Sequence, residues 1–72
     1  MTTAQKLTGR VRRTDTDTLI DTLTQLPEGD AGRILFSVVA DELVTRLGLD
    51  RDAVLTADRP VDHLIVVATM AA

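Results

Sequence analysis

The chain contains no cysteine, tryptophan or tyrosine, and only one phenylalanine and one histidine among 72 residues. Without cysteine, neither a disulfide framework nor a thiolate metal site is open to it. A chain this short buries a limited share of its unfolded surface, so one thin core is all it forms unless a second copy adds to it. With Phe36 as the sole aromatic residue, the stacking platform of single-strand nucleic-acid binding is missing. A formal net charge of −3 disfavours attraction of the whole surface to nucleic acid, although Lys6, Arg10, Arg12 and Arg13 form a local basic cluster. That cluster reads as a solvated tail or as a rim that meets an acidic partner. The longest apolar run, Leu64 to Ala72, is far below the roughly 18 residues needed to cross a bilayer. Residues 1–13 are polar and basic, without the apolar centre of a signal peptide. The expectation is a soluble, cytoplasmic protein with no nucleic-acid or membrane partner.

What the chain does have is punctuated helical pattern. Thr14-Asp15-Thr16-Asp17-Thr18 offers several side chains able to cap a helix, which the pattern predicts to start near Asp17. Leu19, Ile20, Leu23 and Leu26 recur at three- and four-residue steps, and Pro27 is expected to end that helix. A second, long helix is predicted over about 28–47, with Glu28 and Asp30 in its first turn and Gly48 just past its end. Asp50 can cap a short turn through Arg51 to Val54, and Asp58 another short helix with Pro60 in its first turn. Residues 64–72 suit either a helix or, from their β-branched cluster, a buried strand paired with the same segment of another copy; helix is favoured. The pattern predicts an all-α fold, a small dimeric bundle of three to four helices with one long central helix. Residues 1–15 read as a flexible basic tail, a frayed helix at most, and residues 16–72 as a single small helical domain.

The dimer expectation rests on the long helix. Ile34, Leu35, Phe36, Val38, Val39, Ala40, Leu43, Val44 and Leu47 occupy more than half its circumference, which is more than one short neighbouring helix covers. A spare face of Leu35, Val39, Leu43 and Leu47 is therefore assigned to a partner, with Arg33, Asp41, Glu42 and Arg46 as the rim charges that select it. No enzyme site emerges. His63 beside Asp62 and near Asp58 lacks a second nitrogen ligand and reads as a surface residue in a capped turn. Ser37 has no base nearby in sequence, and the adjacent Asp41 and Glu42 point in different directions. Gly29 and Gly32 form no phosphate loop and read as flexibility at a helix entrance. No cofactor or metal is expected.

Leu26-Pro27-Glu28, Leu47-Gly48-Leu49-Asp50, Ala53-Val54 and Asp58-Arg59-Pro60-Val61-Asp62-His63-Leu64 follow one another in an order and spacing with a parallel elsewhere. Together they resemble the N-terminal half of an acyl carrier protein domain of an actinobacterial modular polyketide synthase: its linker, first helix and following loop. In that family a Leu-Gly-Leu-Asp-Ser-Leu segment follows, and its serine carries the phosphopantetheine arm. This chain has Leu64-Ile65-Val66-Val67-Ala68-Thr69 there, with valine and alanine in place of aspartate and serine. The resemblance implies the setting of antibiotic biosynthesis and a non-catalytic docking module, which binds a polyketide synthase subunit or a second copy of itself. Two other readings compete. One is a small actinobacterial or phage-encoded regulator that binds and modulates a host protein. The other is a working carrier in a shifted register, modified at Ser37.

Overall fold

The computed structural model describes residues 3–72, with side chains from Gln5 onward. Five helices account for its regular structure, and no strand is present among the described residues. They are α1 (Thr3–Arg12), α2 (Thr16–Leu23), α3 (Gly29–Leu47), α4 (Arg51–Thr56) and α5 (Pro60–Ala71). The sequence pattern predicted three to four; the additional one is α1, which lies in the stretch read as a tail and packs against α3. Its Val11 is buried, so residues 3–12 are tied to the rest of the molecule. Residues 1 and 2 of the expected tail lie outside the described residues.

Local chemistry accounts for most of the boundaries. Asp15 caps α2, its carboxylate accepting from the Thr18 amide at 3.3 Å and from the Thr18 hydroxyl at 2.8 Å. The helix closes at Leu23, short of Pro27. The Thr24 amide and hydroxyl both donate to the Asp21 carbonyl, at 3.0 and 2.6 Å, and tighten the last turn before proline acts. Gly48 ends α3 at φ 64°, ψ 36°, the left-handed conformation that costs glycine no Cβ clash. Asp50 caps α4 by accepting from the amides of Asp52 and Ala53 at 3.0 and 3.3 Å. For α5 the expected cap at Asp58 is not used: Arg59 occupies the cap position without a side-chain bond, and Pro60 opens the helix. Residues 64–71 are helical, the favoured alternative, as the greater part of α5, so their amides bond back along that helix and need no partner strand.

The core consists of Val11, Leu19, Leu23, Val39, Ala40, Leu43, Val54, Leu64 and Ala68. Every helix contributes, so none is a mere appendage. Helix α3 is the longest at 19 residues and touches α1, α2 and α5, while α5 also meets α2 and α4. Gly32 marks a close approach of backbone to backbone: a Cβ there would collide with the Pro27 carbonyl oxygen and lie 3.0 Å from its carbon. The loop entering α3 folds directly over that glycine. Flexibility, the role read from the sequence, is therefore not its main use.

Candidate interaction surface

The structure redistributes the residues predicted to bind a partner. Val39 and Leu43 are fully buried in the core, and Leu35 and Leu47 are half-buried against it. The chain's own helices cover this face, so it serves as the inside of the monomer. The predicted rim charges each have a partner within the chain, Arg33 and Asp41 at exposed positions and Arg46 and Glu42 at half-buried ones. Arg33 pairs with Asp30 at 2.6 Å, Arg51 with Asp41, and Arg46 with Glu42 at 2.8 Å. The Arg46 guanidinium continues to the Thr16 hydroxyl at 3.3 Å and to the carbonyls of Val11 and Arg12, each at 3.1 Å. Expected at a solvent-facing rim, Arg46 instead links α3 to the end of α1 and the start of α2.

Apolar surface is exposed elsewhere. Met70 is 80% exposed, Leu55 57%, Val66 56% and Ile34 42%. Val66 and Met70 stand four residues apart on α5, so they share its outer face, opposite the buried pair Leu64 and Ala68. Leu55 walls a groove between α3 and α4 together with Phe36, Ala40 and Val44. On the other side of half-buried Phe36, a second groove is lined by Leu26, Pro27, Pro60 and Val61. The exposure of Val66 and Met70 was not read from the sequence, although a signal existed: Leu64 to Ala72 contains no charged residue, and a helix apolar all round cannot hide every side when it lies at a surface.

The remaining candidates keep separate positions. Ser37 is exposed in the middle of α3 and borders the α3/α4 groove. His63 is half-buried on α5, near Asp58, Arg59 and Asp62 at one shallow depression. No group of three or more histidine, cysteine, aspartate or glutamate side chains placed to hold a metal ion occurs among the described residues. No described helix is long and apolar enough to cross a membrane. Ala68, which stands where the carrier resemblance has its arm-bearing serine, faces the core within α5.

One titrating group is visibly tuned by its surroundings. The Thr18 hydroxyl, then the Thr18 amide, hold the Asp15 carboxyl below its ordinary range, and the Arg46 charge adds a smaller effect in the same direction. A depressed carboxyl contributes stability that is complete above its unfolded pKa and lost as the pH falls through the lower folded value. Acid titration of helicity should therefore show a component, beginning near pH 4 where free aspartate protonates, that Asp15→Asn removes. Identical acid profiles for the two proteins would show that this cap does not couple to folding.

Comparison with protein-family models, with curated protein sequences and with solved structures finds no match to this chain.

Proposed function

We propose that this chain is a non-catalytic helical docking module of a modular polyketide synthase, which binds a helical surface of a synthase subunit through the outer face of α5. The observation that carries this reading is the exposure of Val66 and Met70 side by side on α5, with Leu55 also largely exposed on α4. Large apolar side chains grouped at a surface mark contact sites more often than isolated ones do. The resemblance of residues 26–64 to a carrier domain supplies the biosynthetic setting. Inward-facing Ala68 agrees with a role other than carrying an acyl group.

Binding through this face would bury two apolar side chains worth about 1.5–3 kcal/mol each. The double variant Val66→Asp, Met70→Asp should thus weaken the complex with an adjacent-gene synthase subunit by roughly a hundredfold or more. Its helicity should remain, because both positions are exposed. Unchanged affinity in a titration calorimeter would move the contact elsewhere. Sedimentation of the chain alone separates self-association from binding of a different subunit: a homodimer that the same double substitution dissolves would make a second copy the partner.

A further inference from the structure

Four of the chain's eight basic residues, Lys6, Arg10, Arg12 and Arg13, precede its first acidic one, Asp15, and the other four stand among all eleven carboxylates. Folding does not even out this asymmetry. Arg33, Arg46, Arg51 and Arg59 each have an acidic partner, whereas the four early residues take part in none of the ion pairs among the described residues. All four are exposed. The backbone that carries them is nevertheless firmly placed: α1 packs along α3 with Val11 buried. The Arg10 carbonyl accepts from the Arg13 amide at 3.2 Å and from the Thr14 hydroxyl at 2.8 Å. The Val11 and Arg12 carbonyls accept from the Arg46 guanidinium, so that cation already serves the C-terminal end of the helix.

Lys6, Arg10 and Arg13 are four and three positions apart, which sets them along one stripe of α1 and the turn that continues it. The Arg13 guanidinium lies 3.9 Å from where a Cβ on Gly9 would stand, so it folds back along that stripe. Arg12 is set apart, bordering the groove between α1 and α3 with Asp41 and Glu42. We infer that the outward stripe of Lys6, Arg10 and Arg13 is a docking surface, separate from the α5 face, for an acidic helix of a partner protein. Three cations at this spacing span about 10 Å of helix, and a partner helix with carboxylates at the same spacing sets one opposite each. Nucleic acid fits less well. The stripe has no aromatic side chain on which a base could stack, and the exposed Asp15 and Asp17 follow directly and repel a phosphate backbone. Exposed charge pairs add little affinity apiece, so this surface steers and selects a partner that other contacts hold.

Amide shifts of the isotope-labelled full chain, followed by nuclear magnetic resonance, test this. The probe is a synthetic alanine-rich helical peptide with glutamates spaced four and three positions apart. No synthase subunit is present, so the outcome is independent of the α5 reading. At low salt the peptide should shift the amides of residues 5–14 and leave those in the middle of α5 in place. Salt at about 1 M, where screening acts within about 3 Å, should abolish the effect. Lys6→Gln, Arg10→Gln and Arg13→Gln together should weaken binding at least about fivefold with helicity kept, because all three side chains are exposed. Arg13→Gln alone should give part of that loss. Arg33→Gln, Arg51→Gln and Arg59→Gln together remove the same number of exposed cations elsewhere and should change binding less than about twofold. The inference is overturned if the shifts map to other helices, if the α1 substitutions leave them in place, if the second triple variant weakens binding as much, or if a DNA duplex binds more tightly than the peptide.

Discussion

Leu43→Asp should leave the chain unfolded, with helical circular dichroism lost at all temperatures. Leu43 is fully buried in the middle of a core of nine residues that draws on all five helices. Truncating a buried leucine costs about 2–5 kcal/mol, because apolar contact is lost and the cavity relaxes only in part. A carboxylate adds the cost of leaving water without a partner. A chain of this size has roughly 4–10 kcal/mol of stability to lose. No basic side chain is buried with Leu43 to receive the charge, since no polar residue is buried among the described residues. From the sequence alone, loss of partner binding with the fold intact was an equally open result. The position inside the monomer core removes that option. If Leu43→Asp kept its helicity and a cooperative melt, the assignment of this α3 face to the interior would be wrong.

Gly32→Ala should destabilise the chain, although alanine is the better helix former by up to about 1 kcal/mol. The sign reverses because the new Cβ would meet the Pro27 carbonyl group, which is backbone and has no rotamer through which to yield. Either the loop before α3 lifts away or the first turn of α3 opens. Overpacking of this kind costs about 1–3 kcal/mol, and more where backbone must move. At about 4–8 °C per kcal/mol for so small a domain, the melting temperature should fall by roughly 5–20 °C. Gly9 supplies the contrast. A Cβ there meets only the Arg13 guanidinium at 3.9 Å, the far end of a flexible side chain, so Gly9→Ala should stabilise α1 by about 0.5–1 kcal/mol. Melting temperatures that rise for both variants would show that the loop is not seated over Gly32.

Much of this architecture was legible before any coordinates because it depends on neighbours in sequence. A cap within Thr14 to Thr18, Asp50 as the cap of the short helix, Gly48 at the end of the long helix and Pro60 at the start of the last one are local devices, each satisfied within a few residues. Helix α1 was harder to read: few of its residues are apolar, and what holds its C-terminal end is the guanidinium of Arg46, more than thirty positions away. The burial of Val39 and Leu43 escaped the sequence for a related reason. Counting apolar residues on α3 shows that a broad face needs cover, but not whether the same chain supplies it. Three neighbouring helices do so here, and the surplus apolar surface emerges on α5.

The sequence by itself determined that the chain is helical, where most helices begin and end, and that neither a disulfide framework nor a thiolate site is available. Those properties follow from composition, from periodicity and from hydrogen bonds made between near neighbours. Only the tertiary structure decided which apolar stripe is core and which is exposed, that Arg46 clamps α1, and that Gly32 is required by a backbone crossing over it. Each of these depends on groups brought together from different parts of the chain. An amphipathic pattern records that a surface must be covered, and the packing of the other helices selects what covers it.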